Sequence, residues 1–375
     1  MGDKTGIEWT EATWNPVVGC SIKSPGCTNC YAMGEAARLE RMGGKGGAKY
    51  AGLTKPSKAG PVWTGEVRLH QSMAALAQPL RWKRPRRIFV NSMSDLFHED
   101  MPVEAIDRVF VVMALAAQHT FQVLTKRSAR MRAYMADFSW ARAVESCRDE
   151  SGVSAIVNHS IADLHRAFGL SPRFAREHDR SVLPVPNVWL GVSVEDQKRA
   201  DERVPDLLAT TAALRFLSME PLLGPVRLSD IAVGDEIIKP LAGLTWYPTP
   251  KSFSHHGMTA RYSPKIDWVI VGGESGPKAR PMHPDWVRDL RDDCASAGVP
   301  FLFKQWGEWA PGENAGGPMT RTEQAVTLID DEWRFERITP TRSAEMHRDD
   351  EPDLYRIGKR AAGRRLDGVV HDDTP

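Results

Sequence analysis

The chain has 375 residues, more than a typical single domain, and its 42% hydrophobic and 26% charged residues describe a protein with an ample core. Its 49 Lys and Arg against 48 Asp and Glu leave a formal net charge of +1, so no global field draws it to nucleic acid or to a membrane surface. No apolar run approaches the ~20 residues that cross a bilayer, the opening MGDKTGIEWTEATW is too polar for a secretory signal, and five cysteines, three of them clustered, point to a reducing cytoplasm rather than a disulfide framework.

Short apolar, β-rich runs recur along the chain, each ending in polar residues and leading into a helical pattern. The first, WNPVVGC at 14–20, leads into a cysteine loop and an Ala-rich helix from Tyr31 to about Met42. The second, RIFVNSMSDLF at 87–97, precedes an amphipathic helix with Ile106, Phe110, Met113 and Ala117 on one face. TFQVLTKRS at 120–128, NVWLGVSVED at 187–196 and LRFLSMEPLLG at 214–224 follow. DWVIVGGESG at 267–276 comes next, with a helix starting near His283 to Trp286, and VPFLFKQWGEW at 299–309 closes the series. Near-continuous apolar strands alternating with helices predict an α/β fold with a parallel sheet, as a complete or partial barrel over residues 1–310. Two stretches read as insertions, at about 136–186 and 228–264, and 311–375 reads as a polar, peripheral C-terminal extension.

In parallel α/β folds the site lies at the carboxyl ends of the strands. Those ends here read NSMSD, LTKR, SVEDQ, SMEPLLG, GGESG and KQWGEW, on the same rim as the cysteine loop. Some of these residues (Asp95, Ser128, Asp196) also suit helix caps.

Cys20, Cys27 and Cys30 stand in VVGCSIKSPGCTNCYAM, with six residues between the first pair and two between the second. Three thiolates on one short loop can hold a 4Fe–4S cluster with one open iron. The alternative is zinc, with His70 or His98 as a fourth ligand, although zinc ribbons carry paired short spacings and only one CxxC is present. Cys147 and Cys294 stand alone, and His255 and His256 fall in the second insertion.

With these residues in place, the chain resembles the radical S-adenosylmethionine superfamily. In that family a partial (β/α)6 TIM-like barrel carries three cysteines after its first strand. It looks most like the divergent radical-SAM-like proteins encoded by bacteriophages and prophages, which share the GIEWTEATWNPVVGC opening and the GVSVE and SMEPLLG runs. It departs from the commonest family pattern, which has three residues between the first two cysteines and an aromatic before the last; here Asn29 takes that place and Tyr31 follows.

The resemblance implies a 4Fe–4S cluster on Cys20, Cys27 and Cys30, S-adenosylmethionine on its open iron, and an electron donor such as flavodoxin or ferredoxin. By position it implies that Asn91, Ser92, Ser94 and Asp95 meet the methionine amino group, and that Ser193 and Glu195 meet the ribose hydroxyls. Glu220 stands at the mouth of the fifth strand, held out of helix by Pro221. Gly272, Gly273 and Glu274 let backbone approach the adenine or methionyl group. Lys126 and Arg127 can hold a carboxylate or phosphate.

The sequence says less about the substrate. Basic and aromatic residues interleave at 78–89, where Arg81, Lys83, Arg84, Arg86 and Arg87 surround Trp82, with Lys45, Lys49, Lys55 and Lys58 upstream. Such a set can track a phosphate backbone while aromatics stack bases. With the phage resemblance, this points to modified DNA as partner and to an isomerase acting on amino-acid-modified thymine, in a bacterial host cytoplasm and with no membrane involved. A photoproduct repair lyase, with Cys147 or Cys294 as hydrogen donor, is one alternative. A non-enzymatic, zinc-bearing nucleic-acid-binding protein is the other.

Overall fold

The computed structural model describes residues 5–69, 73–148, 183–248, 257–315, 320–344 and 353–375. Most of the expected insertion at 136–186 therefore lies outside the described residues, as do His70, His255 and His256.

Seven strands form the central sheet in sequence order: β1 Ala12–Trp14, β2 Arg87–Val90, β3 Thr120–Thr125, β4 Val188–Ser193, β5 Leu214–Met219, β6 Trp268–Gly272 and β7 Phe301–Gln305. The pairings β1/β2, β2/β3, β3/β4, β5/β6 and β6/β7 are parallel. Strands that follow one another without a reversal point wind in one direction, as a barrel or part of one requires and a doubly wound sheet does not. The expectation of an α/β fold with a parallel sheet holds. The strands read as continuous apolar runs because both faces are covered, and all five residues of β6 are buried.

Helices follow the strands: α1 Tyr31–Met42, α2 Val103–Leu115, α3 Ser128–Ala136, α4 Trp140–Glu145, α5 Gln197–Leu208 and α6 Pro284–Ala297. α2 is not the one-faced amphipathic helix expected: it ends at Leu115, before Ala117, and buries Ala105, Ile106, Val109, Phe110, Val111, Val112, Met113 and Ala114, nearly its whole circumference. It also buries Asp107, whose carboxylate accepts from Tyr134 Oη at 2.7 Å and from Arg142 Nε at 2.8 Å.

By contact density the chain divides into two compact units: Met1–Val192 with Asp206–Arg215, and Ser193–Pro205 with Phe216–Pro375. In the first unit, the strand expected at 14–20 ends at Trp14. Pro16 has no N–H to continue the ladder, so Val17–Val18 leaves it and pairs antiparallel with Arg68–Leu69.

In the second unit, the expected insertion at 228–264 is a four-stranded antiparallel sheet of Ile231–Val233, Glu236–Lys239, Leu244–Pro248 and Met258–Tyr262. The C-terminal residues differ from a peripheral tail. Leu354–Arg356 lies between Trp309–Ala310 and the hairpin of Glu323–Ile329 with Glu332–Ile338, burying Leu354 and Tyr355. The last residues then cover the outer edge of β7. The Phe303 N–H donates to the His371 carbonyl at 3.0 Å, and the indoles of Trp268 and Trp306 donate to the Asp373 and Arg365 carbonyls. An uncovered sheet edge invites pairing with another chain, and few apolar residues suffice to close it, which is why this segment looked solvated in composition. No described helix is long and apolar enough to cross a membrane.

Candidate cofactor site

The cysteine loop sits at the carboxyl end of the first strands. Asn91, just past β2, adopts φ 63 and receives the Val17 N–H on its Oδ1 at 3.2 Å, while its own N–H donates to the Trp14 carbonyl at 2.8 Å. Asn tolerates this left-handed conformation better than most residues. Gly19 forms a parallel bridge with Ser94, which places Cys20 beside the end of β2. The loop then closes through a tight turn: the Cys27 N–H donates to the Ser24 carbonyl at 2.9 Å and the Cys30 N–H to the Cys27 carbonyl at 3.3 Å.

Cys30 is the N-cap of α1, and no side chain caps that end. The N–H groups of Ala32 and Met33 face its sulfur instead. A helix N-terminus favours negative charge at that sulfur. Cys20 and Cys30 pack against one apolar cluster formed by Val18, Ala32, Met33, Ala36, Tyr50, Leu53, Trp63 and Met93. Burial, with the Asp95 charge, pushes the Cys20 thiol up to about 12, and burial raises Cys30 too. Buried thiols of this kind stay protonated until a bound cation displaces the proton.

Arg127 organises the surroundings. It is 4% exposed and donates from Nη1 to Asp95 at 3.0 Å, from Nε to Glu99 at 2.5 Å and from Nη2 to Ser21 Oγ at 2.7 Å. Its Nη1 also lies 3.9 Å from Cys20 Sγ. Burial alone would raise the Glu99 carboxyl, but hydrogen bonds from Arg127 and Lys23 hold it at about 2. Asp95, expected to meet the methionine amino group, is instead fully engaged here. It accepts from Thr125 Oγ1 at 2.7 Å, from the Phe97 and Lys126 amides and from Arg127. Arg127, expected to hold a ligand anion, is likewise committed to internal acids.

Ser92 Oγ donates to Asn15 Oδ1 at 3.1 Å and Ser94 Oγ to the Val17 carbonyl at 2.9 Å, so both serines tie the loop to the strand end. Asn91 Nδ2 is buried and donates to no other described residue. Of the residues expected at this strand end, Asn91 is thus the one with a donor in reserve. Ser21, His98 and Glu99 complete the network. His98 was expected only as a fourth zinc ligand, and Ser21 and Glu99 were not singled out, because the fold and not their spacing joins them through Arg127.

The remaining expected contacts belong to the second unit. Glu195 is wholly buried, and its Oε2 lies 3.0 Å from Arg203 Nη1, which also donates to the Ser193 carbonyl at 2.7 Å. Glu274 is held by Arg280 through Nε at 2.9 Å, Nη2 at 2.6 Å and the backbone N–H. Glu220 Oε1 lies 2.9 Å from Lys304 Nζ, and Ser218 Oγ donates to its Oε2 at 3.4 Å. Of these three carboxylates Glu220 is the most accessible, with 15% of its side chain exposed.

The two glycines serve packing within this unit. A Cβ on Gly272 would lie 2.7 Å from Glu220 Oε1, and one on Gly273 would lie 1.9 Å from the Trp306 carbonyl oxygen. Lys304 was not anticipated, because it lies 84 residues beyond its partner on the last strand.

The donor set can be tested against the two groups the cysteines suggest. Zinc needs its donors at about 2.0–2.3 Å from one point, whereas a cubane spreads its thiolates over separate irons. Among the described residues no group of three or more His, Cys, Asp or Glu side chains is placed to hold a metal ion. His98, the one described candidate for a fourth zinc ligand, has both ring nitrogens engaged: Nε2 with Ser21 Oγ at 2.8 Å, and Nδ1 accepting from the Asp100 amide at 3.2 Å. Three soft thiols thus stand on one loop, and His98, the described histidine that the sequence offered as a fourth ligand, is engaged elsewhere.

The chain belongs to the family described as protein of unknown function (DUF5131), whose model matches residues 4–375. No curated protein and no solved structure matches it.

Proposed function

We propose that this protein is a radical S-adenosylmethionine enzyme that holds a 4Fe–4S cluster on Cys20, Cys27 and Cys30. The observation that carries the proposal is the loop itself: three thiols, with no fourth ligand among the described residues, at the carboxyl end of the first strand of a singly wound parallel sheet. When bound, such a cluster supplies the electron that cleaves S-adenosylmethionine to methionine and a 5′-deoxyadenosyl radical able to take hydrogen from a substrate.

The chain's own residues then have distinct tasks. Arg127 fixes the loop through Ser21 and its acids, the Ala32 and Met33 amides face the Cys30 sulfur, and Asn91 Nδ2 is the buried donor available to a ligand carboxylate. In the second unit we assign ligand contact to Glu220 and Lys304 and a supporting role to the inaccessible Glu195–Arg203 pair.

For the substrate we propose amino-acid-modified thymine in phage DNA, rearranged by an isomerase reaction. Abstracting hydrogen from an amino-acid α-carbon suits a carbon radical and not ordinary acid–base catalysis. The repair-lyase reading needs a cysteine that can reach the substrate. Cys147 and Cys294 are both buried, and burial pushes their thiols up to about 11 and about 12.

The test is the iron, sulfide and zinc content of protein purified without oxygen. About four irons and four sulfides per chain, lost on changing any one of the three cysteines to Ala, supports the proposal. About one zinc without sulfide overturns it in favour of a zinc-bearing binding protein.

A further inference from the structure

The two basic groups of the sequence lie at opposite ends of the sheet within the first unit. Arg81, Lys83 and Arg84 precede the amino end of β2, where the Thr120 N–H at the start of β3 meets the Arg86 carbonyl. Arg86 lies over the Trp82 ring at 5.1 Å, and Trp82 packs edge-on against His119, so this aromatic is committed to the fold. The cysteine loop is at the other end of the same strand.

Residues 41–65 behave differently. They contain Arg41, Lys45, Lys49, Lys55 and Lys58 and no Asp or Glu. They form a small lobe built onto the cysteine loop. Tyr50, Leu53 and Trp63 are buried in the cluster against which Cys20 and Cys30 pack. Gly19, one residue before Cys20, has φ 88, and a Cβ there would lie 2.2 Å from the Glu66 carbonyl oxygen. The Arg68–Leu69 strand that ends the lobe pairs with Val17–Val18.

The lobe's outer edge is the hairpin of Thr54–Lys55 with Val62–Trp63. Alternation along it buries Trp63 and leaves Lys55 exposed. At its tip, Ser57 and Gly60 exchange backbone hydrogen bonds at 3.0 and 3.1 Å, presenting Lys58 to solvent. Lys55 and Lys58 form no ion pair with any described residue.

We infer that this lobe is a nucleic-acid clamp that grips the phosphate backbone and delivers the strand to the cysteine loop, with Lys55 and Lys58 as its principal contacts. The inference rests on the proposal that the cysteine loop is the reacting end of a DNA-modifying enzyme. The lobe's aromatics are buried, so it tracks backbone and does not read bases. Tyr31, the first residue of α1 beside Cys30, is 62% exposed and donates its hydroxyl to the Ser92 carbonyl at 2.6 Å. Two exposed lysines that form no ion pair with a described residue suit a polyanion, Glu66 at the lobe's far end being paired with Arg68, and the lobe's attachment to the cysteine loop ties position along the backbone to the chemistry.

The test compares Lys55→Gln/Lys58→Gln with Arg81→Gln/Arg84→Gln in the full chain. The readout is fluorescence anisotropy with a duplex oligonucleotide, its single strand, the corresponding RNA and poly-glutamate, over a range of salt. Each phosphate contact contributes about 0.9 to the slope of log K against log salt on duplex and about 0.7 on a single strand. The expected result is a slope lower by about 1.8 on duplex, or about 1.4 on a single strand, for the lobe pair. The Arg81/Arg84 pair should leave the slope unchanged, and the preferred nucleic acid identifies the partner.

An unchanged slope in the lobe pair, loss in the Arg81/Arg84 pair instead, no nucleic-acid binding by the parent protein, or preference for poly-glutamate each overturns the inference. Iron and sulfide measured on the same samples keep the two proposals apart. Salt-dependent binding through Lys55 and Lys58 in a protein without iron would sustain the clamp and sink the radical mechanism.

Discussion

Arg127→Met separates the network that holds the cysteine loop from the rest of the fold. The substitution keeps an unbranched stem but removes the guanidinium from Asp95, whose side chain is 7% exposed, and from Glu99, whose side chain is 49% exposed. Losing one partner of a buried pair costs about 3–5 kcal/mol because an uncompensated charge stays behind. Asp95 would keep three neutral donors, from Thr125 Oγ1 and the Phe97 and Lys126 amides, which places the effect near the lower end, about 3 kcal/mol. The exposed Glu99 contact adds less than ~1 kcal/mol. Urea unfolding at pH 7, followed by circular dichroism, measures the loss. Neutralising the stranded acid as well, in Asp95→Asn/Arg127→Met, should recover about half of it, because the two residues share one interaction. A single variant within ~1 kcal/mol of the parent, or a double variant no more stable than the single, would refute the reasoning.

Gly273→Ala places a methyl group 1.9 Å from a carbonyl oxygen, so backbone must move; a loss of about 1–3 kcal/mol or more in urea unfolding is expected. Gly272→Ala meets only the end of the Glu220 side chain and should be milder, displacing Glu220 from Lys304. Glu220→Gln removes the charge from a pair only 15% and 19% exposed, so a loss of about 1–3 kcal/mol in urea unfolding is expected, together with weaker S-adenosylmethionine binding measured by calorimetry; unchanged affinity would remove Glu220 from the site. Asp367, hydrogen-bonded by Arg288 and Arg291, has its carboxyl held below the usual range although burial opposes this. Its stabilisation is therefore present above its unfolded pKa of about 3.9 and is lost as pH falls through the lowered folded value. Asn also tolerates the φ of 50 at this position, so Asp367→Asn isolates the charge. The parent should melt above the variant at pH 7 by an amount worth under ~1 kcal/mol, with the gap narrowing as pH falls below the unfolded pKa of about 3.9. A gap independent of pH would contradict this account.

The strands were legible because parallel strands covered on both faces read as continuous apolar runs, and α1 and the start of α6 at Pro284 were legible from a helical pattern and a proline in the first turn. The cysteines were legible from spacing alone. What the sequence concealed was the partner of each acid. Asp95 and Arg127 come from different strand ends, and Glu220 and Lys304 from strands far apart in sequence, so only the fold brings them together. The strand expected at 14–20 was read too long because VV at 17–18 is as β-prone as a sheet strand, whereas Pro16 diverts it into a separate pairing. The closing segment was misjudged for a related reason. Its charged composition suggested a tail, but its backbone carbonyls at Arg365, His371 and Asp373 do the bonding, and composition carries no record of backbone.

The paired acids also bear on how a ligand would be held. Asp95, Glu195, Glu220 and Glu274 each stand at a strand's carboxyl end, and each has a cation within 3.0 Å. Burying a carboxylate without such a partner costs several kcal/mol, so an acid this close to an apolar strand is stable only when its cation comes with it. Rim carboxylates are therefore poor evidence of ligand contact taken singly, because the fold itself demands their partners. The discriminating property is access. Glu195 and Asp95 are sealed, and exchanging their arginines for a ligand's ammonium would first require taking apart the turn or loop they hold. Glu220 and Lys304 form the pair whose carboxylate is most open to water, and they carry opposite charges side by side. A zwitterionic amino-acid head can exchange with such a pair at little electrostatic cost, since its own ammonium and carboxylate replace the contacts it breaks.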